Sequence, residues 1–239
     1  MNKKNIAFII ISLLIIIGVI IAIEIAIDFN KEAKIRNEVK EIINIMTNDI
    51  ENTEKANEIL TRRIITKGKY KTVEDSLKKY YTDLYNNYSN LLFLENDDNF
   101  SNYLSITNLK EDRPDFIKSK NNLQNSKAQI DEYYNSFVSL LTKDENKEVY
   151  IMNKKITSYY KDFYFTLTNE LNTKEFLDNI KENYEIAKSK ITIYNEAFDY
   201  LIVNKGNWEL KNNSLIFKTI ENNEEYLKII AKLNPKTEE

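Results

Sequence analysis

The sequence predicts an all-α protein: an elongated antiparallel helical bundle with one N-terminal transmembrane helix and a small C-terminal β-hairpin. Three observations carry that expectation. Glycine (3) and proline (2) are so scarce in 239 residues that long helices meet few breakers, whereas sandwiches and barrels need many turns. Apolar residues recur at helical spacing through most of the chain. One short stretch near the C-terminus alternates instead, around an Asn-Asn pair.

The N-terminal element comes first. Residues 6–23, IAFIIISLLIIIGVIIAI, are apolar apart from Ser12 and Gly18. Including residues 24–27 gives about 22 residues, or roughly 33 Å of helix, enough to cross a bilayer. A cleavable signal has a shorter apolar core and an A-x-A-like site, and Ala22 and Ala26 have the wrong spacing for one. The expectation is an uncleaved signal anchor over residues 6–27, following a cytoplasmic stub of residues 1–5. Lys3 and Lys4 precede the span while DFNKE after it is balanced, so residues 28–239 are expected outside the cell membrane. Glu24, one turn from the outer interface, is expected to reach the headgroups, the alternative being a polar contact to another membrane helix.

Beyond the span, Ile35, Val39, Ile42, Met46, Ile50, Leu60 and Ile64 mark a helix over 31–66. Its seam turns polar around Thr53 and Asn57, and Gly68 ends it. Thr72 with Asp75 opens the next helix, whose stripe is Val73, Leu77, Tyr80, Leu84, Tyr88 and Leu91. ENDDN (95–99) closes it, and a shorter piece follows around Phe100, Leu104 and Ile106. Pro114 suits the first position of another helix, carrying Phe116, Leu123, Ile130, Tyr134, Phe137 and Leu141. Thr142 with Glu145 predicts a cap and a stripe of Val149, Met152, Ile156, Tyr160, Phe163 and Leu167. Asn172 with Glu175 predicts the last long helix, with Leu177, Ile180, Tyr184, Ala187, Ile191, Tyr194, Phe198 and Leu201 inward. Such short connections imply antiparallel neighbours. Alternation from the membrane outwards puts the 66–72 turn at the far end.

Gly206 ends that helix, and WELK-NN-SLIF then alternates. Asn-Asn fits the positive-φ positions of a two-residue turn. That register, over about 207–218, pairs Trp208 with Phe217 and Leu210 with Leu215 on one face. A lone hairpin is marginal in water, so this face must lie on the bundle. Asn222 with Glu225 opens a final helix over 222–233, with Tyr226, Leu227, Ile230 and Leu233 inward, and Pro235 ends it. The succession LIVNKGNW, LIF and NNEEYLKII resembles the C-terminal pattern of uncharacterised bacterial helical lipoproteins and membrane-anchored proteins, over about the last 35 residues. The lipidated cysteine of such lipoproteins is missing. The resemblance implies an envelope location and carries no known activity.

Function is bounded mainly by what is missing. Cysteine and histidine are absent, which excludes Ser-His-Asp and Cys-His catalysis, His- or thiolate-ligated zinc and an imidazole base. A formal charge of -3 gives no footprint for nucleic acid. No cofactor is expected, and ENDD (95–98) lacks the glycine and terminal glutamate of a calcium loop. Carboxylates are plentiful, but no pair stands out as catalytic. The candidate partner-binding residues are Arg62, Arg63, Lys67, Lys69 and Lys71, five cations with no acid among them. They would dock an anionic wall polymer or an acidic envelope protein, and also complement a helix C-terminus. Tyrosines occur in pairs, Tyr80–Tyr81, Tyr133–Tyr134 and Tyr159–Tyr160, one member expected in the core and the other flanking it. The expected function is a non-enzymatic, membrane-tethered envelope protein that acts as an interaction or structural module. The alternative is an extracytoplasmic, sensor-like ligand-binding module with an aromatic-lined pocket between helices.

Overall fold

The computed structural model describes residues 3–50, 52–95, 100 and 102–233, with side chains for 15–50, 52–94, 100 and 102–233. The chain is mostly helical, with one two-stranded antiparallel hairpin. The helices are α1 (Lys3–Asn48), α2 (Thr53–Thr61), α3 (Lys69–Glu95), α4 (Ile106–Asp112), α5 (Ile117–Thr142), α6 (Asp144–Glu148), α7 (Ser158–Thr168), α8 (Lys174–Val203) and α9 (Ile220–Ala231), with β1 (Trp208–Lys211) and β2 (Ser214–Phe217) before the last. They form two compact units, Met1–Asp83 with Lys143–Leu171 and Leu84–Thr142 with Asn172–Glu239.

In the first unit α1 runs without interruption past the apolar stretch, as a segment free of breakers should. Ile35, Val39, Ile42, Ile45 and Met46 form its buried stripe. The helix expected to reach Thr66 stops at Asn48. Asp49 still bonds back to the Ile45 carbonyl, and the Asn52 side chain then accepts from Lys55 N–H at 3.1 Å to start α2. The polar gap in the seam is therefore a turn, and α2 folds back to lay Ala56, Ile59 and Leu60 inward. Residues beyond Arg62 carry no helix until Gly68, whose φ of +64° supplies the bend before α3. A left-handed residue costs glycine nothing.

This return changes the topology. Glu32 pairs with Tyr70 and Glu38 with Lys78, so partner numbers rise together and α1 and α3 run parallel. Helix α7 joins them in the same sense: Tyr70 meets Tyr160, and Tyr81 donates to the Leu167 carbonyl at 2.7 Å. Short connections give antiparallel neighbours, but parallel ones need a return segment. Residues 49–68 provide one; residues 149–157 provide the other, passing from Tyr150 beside Asp83 to Lys155 beside Lys69. The single helix expected from the Thr142–Glu145 box is accordingly two pieces. Thr142 stays in α5 and bonds the Val138 carbonyl, while Val149 and Met152, expected inward, are exposed.

The second unit keeps the expected antiparallel pairing. Helices α5 and α8 meet at Phe137–Phe176 and Tyr134–Tyr184, and Phe116, just before α5, meets Phe198, partner numbers rising on one side as they fall on the other. Pro114 precedes α5 rather than opening it. The Asp112 carboxylate caps this helix, accepting from the N–H groups of Lys118 at 3.1 Å and Ser119 at 2.6 Å. Phe116, fully buried, sits there at φ +48°, a conformation unfavourable for a bulky residue and held by its packing. The caps of α8 and α9 are Thr173 and Thr219, not Asn172 and Asn222. Starting at 220, α9 buries Tyr226 but leaves Leu227 exposed.

The hairpin has the register expected of it: Trp208 opposite Phe217 and Leu210 opposite Leu215. Asn212 and Asn213 take φ of +51° and +60°. Trp208 is buried, stacks on Phe116 at 6.1 Å and donates its Nε1–H to the Leu201 carbonyl at 2.7 Å. Leu210, Leu215 and Phe217 are half-buried while Glu209 and Ile216 face out. Among the described residues no helix is long and apolar enough to cross a membrane. The side chains of residues 6–14, the first part of the expected span, lie outside the described residues, as do those of ENDDN (95–99) and Pro235.

Candidate functional site

Helix α1, the 62–71 segment and the 149–160 segment of the first unit bring most of its charge chemistry together. The 62–68 segment has no helical or strand hydrogen bonds of its own, so its backbone donors need partners. Glu74, one turn into α3 and 1% exposed, provides them. Its carboxylate accepts from Ile65 N–H and Thr66 N–H, both at 2.9 Å, and from the Thr66 hydroxyl at 2.6 Å. Lys78, one turn further on, lies 3.6 Å from Glu74 and 3.7 Å from Glu38, and donates to the Arg62 carbonyl at 2.5 Å. Glu38 is the under-served member, because its Oε1 is buried and accepts no hydrogen bond. Burial pushes the Glu38 carboxyl up; Lys78 pulls it back, and the Glu74 carboxylate adds to the rise.

This cluster fixes where the five candidate cations go. Arg62 is drawn to Glu41 at 3.3 Å and Glu58 at 3.6 Å. With Arg63, Lys78, Lys79, Asp75, Asp83 and Tyr150 it lines a 580 Å³ groove of mixed charge. Lys67, Lys69 and Lys71 leave the groove and are exposed. Lys69 donates to the Lys155 carbonyl. Next to it the Tyr70 hydroxyl donates to Glu32 Oε1 at 2.8 Å, and Tyr159 donates to the same oxygen. Burial and this hydrogen bond push the Tyr70 hydroxyl up. The structure therefore divides the set: Arg62 and Arg63 line the groove, and the three lysines lie beside the start of α1's packed portion. The far-end position expected for the turn is overturned, because α2 and the 62–68 segment carry the chain back.

Preceding that portion, residues 15–29 of α1 expose Ile15, Ile16, Ile17, Val19, Ile20, Ile21, Ile23, Ile25, Ile27 and Phe29. Consecutive helical positions lie 100° apart, so this apolar surface covers every side and not a single stripe.

The tyrosine pairs behave differently from one another. Both Tyr80 and Tyr81 are buried, against the expectation of one core and one flanking member. Their hydroxyls donate to the Thr168 and Leu167 carbonyls at the C-terminus of α7, where a helix leaves acceptors without internal partners. Tyr159 is 56% exposed, while Tyr160 is half-buried against Tyr70. In the second unit Tyr134 stacks on Tyr184 at 3.9 Å, and the Tyr184 hydroxyl donates to Asp131 at 2.7 Å.

The second unit also has a 740 Å³ cleft between α4 and α5, lined by Asn102, Asn108, Asn122, Asn125, Ser105 and Ser126 among others. Tyr103 is the one aromatic residue in that lining, so the cleft is polar rather than aromatic. Among the described residues, no group of Asp and Glu side chains is placed to hold a metal ion.

Glu32, Lys154 and Lys155 were not singled out by sequence reasoning, and Tyr159 was named only as one of a tyrosine pair. One signal was readable: residues 149–161 contain Lys154, Lys155 and Lys161 but no acid, just as residues 62–73 contain five cations and no acid. What joins the two runs is contact across 86 and 127 positions, which no local pattern encodes. The chain matches no protein-family model, and comparison with curated proteins and with solved structures finds no match.

Proposed function

We propose that the protein is a non-enzymatic, membrane-tethered envelope module that works through interactions of its extracytoplasmic helical part. The observation that carries this reading is the all-round apolar exposure of α1, with Ile25 at 64% and Phe29 at 74%. Leaving such a side chain in water forgoes roughly 1.5–3 kcal/mol. Ten of them on one helix, even only partly exposed, add up to a liability comparable to the roughly 5–15 kcal/mol that stabilises a typical domain. A bilayer removes that liability, and residues 6–14 continue the same composition. The resemblance of the last 35 or so residues to envelope proteins points the same way. The absence of histidine and cysteine supports a binding role over catalysis.

Expression of the full chain with a C-terminal tag tests the tether. The protein should stay with membranes after alkaline carbonate extraction, and external protease should remove the tag in spheroplasts. Full release by carbonate would overturn the tether; a protected tag would reverse the orientation.

A second reading, an extracytoplasmic ligand-binding module, is favoured by the cleft between α4 and α5. Its amide and hydroxyl lining, with Glu111 and Lys118 among it, suits a polar, hydroxyl-rich ligand. Retention of the protein on immobilised glycans, lost in Asn122→Ala, would support it.

A further inference from the structure

The contacts of the 66–71 turn seat its lysines at a defined height on α1. Tyr70 and Tyr159 both donate to Glu32, and Glu32 follows the last apolar residue of the expected span, Ile27, by five positions. At 1.5 Å per residue that is about 7.5 Å along the axis. A bilayer's hydrocarbon core is about 30 Å thick, and about 40–45 Å with its interfaces, so each headgroup layer is about 5–7.5 Å deep. If Ile27 marks the edge of the core, Glu32 lies at headgroup level.

The groups gathered at that level are the ones an interface favours. Lys67, Lys69 and Lys71 come from one acid-free run, and Lys154 and Lys155 from another. The bond from Lys69 to the Lys155 carbonyl holds the two together. The acids nearby are already engaged: Asp28 pairs with Lys31 at 2.9 Å, and Glu32 takes the two tyrosine hydroxyls. Tyr159, which shares Glu32 with Tyr70, is exposed, and an aromatic ring with a polar tip prefers the membrane–water interface. Lys31 also lies 5.5 Å from the Tyr70 ring centre.

Resting on the tether reading, we infer that Lys67, Lys69, Lys71, Lys154 and Lys155 form a membrane-facing collar that binds anionic phospholipid headgroups around the base of α1. Clusters of lysine next to a span are attracted to anionic lipid over a Debye length, and the attraction weakens with salt. A wall polymer, one of the two occupants expected from sequence beside an acidic envelope protein, is a less suitable partner at this height, because the bilayer lies closer than the wall.

The test uses the full chain reconstituted into vesicles of phosphatidylcholine alone or with phosphatidylglycerol. Flotation reads the tether, and hydrogen–deuterium exchange of residues 67–71 and 152–157 reads the collar. The expected result is flotation with both vesicles, and several-fold slower exchange in these segments on the anionic ones. High salt should abolish the slowing, as should K67Q/K71Q/K154Q, three exposed positions whose change should leave the melting temperature intact. Equal exchange on both vesicles with normal flotation overturns the collar and leaves the tether standing. Slowing on neutral vesicles only when soluble polyglycerol phosphate is added also overturns it, and assigns the lysines to wall polymer. Failure to float removes the tether and the collar together.

Discussion

Glu74 holds Thr66 twice, through the backbone N–H at 2.9 Å and the side-chain hydroxyl at 2.6 Å. With the Ile65 N–H on its other oxygen, this single buried carboxylate anchors the segment that returns the chain to the base of α1. Lys78, the Arg62 carbonyl and Glu38 complete a cluster in which each member limits where the others sit.

Removing that carboxylate leaves two backbone donors and part of a buried ammonium without partners. Glu74→Ala should therefore cost about 3–5 kcal/mol, the range for breaking a buried ionic network. Thr66→Val deletes one hydroxyl bond and should cost about 1–2 kcal/mol. Urea unfolding followed by circular dichroism measures both. A loss below about 1 kcal/mol for Glu74→Ala would mean that the segment is held by something else.

Glu38 gives a pH prediction with a definite sign. Its carboxyl is raised above 4.5 by burial, so between 4.5 and its higher folded value the native state binds more protons than the unfolded one. Its contribution to stability is thus greatest below 4.5 and is lost as pH rises through the folded value. Glu38→Gln should be more stable than the parent at neutral pH by about 1 kcal/mol, since Lys78 keeps Glu74 and the Arg62 carbonyl. The advantage should vanish near pH 4. A variant that is less stable at pH 7 would show that the Lys78 attraction outweighs the desolvation.

How much of this was legible depended on the range of the interaction. The hairpin register could be read because turn and alternation are encoded within ten residues and agree with each other. The buried stripe of α3, from Val73 to Leu91, could be read because helical spacing is equally local. Helix starts were displaced by one to three residues, because Thr173 and Thr219 compete with the nearby asparagines for the same cap and prevail. The break between the end of α1 at Asn48 and the start of α2 at Thr53, and the irregular 149–157 segment, contain no glycine or proline, so periodicity ran straight through both. The first is closed by local bonds of Asp49 and Asn52 that helical spacing does not announce, and the second is held by distant partners, Ser76, Asp83 and Lys69. The candidate cations could be picked out as an acid-free run, but their division into two arginines on the groove and three lysines beside Glu32 could not, because the parallel packing of α1 and α3 depends on those same long-range contacts.

Trp208 is the sole tryptophan, and it ties the hairpin to α8 through the Leu201 carbonyl. Trp208→Ala should cost about 3–5 kcal/mol. Trp208→Phe keeps a ring against Phe116, and loses only the Nε1–H bond and some area, about 1–2 kcal/mol. Thermal melts by circular dichroism separate the three proteins. An unchanged melting temperature in Trp208→Ala, with loss of a binding partner, would turn this face from a structural contact into a recognition surface.

The turn itself offers the finest test, because its two residues both sit at positive φ. Asparagine tolerates that conformation better than other side-chain-bearing residues, and glycine adopts it with no steric cost. Asn213→Gly creates the Asn-Gly pair most favoured in two-residue hairpins, and should add about 0.5 kcal/mol. Against this stands the exposed bond from Lys110 to the Asn213 side chain at 3.2 Å, worth less than about 0.5 kcal/mol at a solvated site. Asn213→Ala loses both the tolerance and the bond, and should cost about 1 kcal/mol. The melting temperatures should rank Gly at or above Asn, with Ala lowest. If Ala matched Asn, residue 213 would not be left-handed, and the pairing of Trp208 with Phe217 would have to be maintained by a different turn.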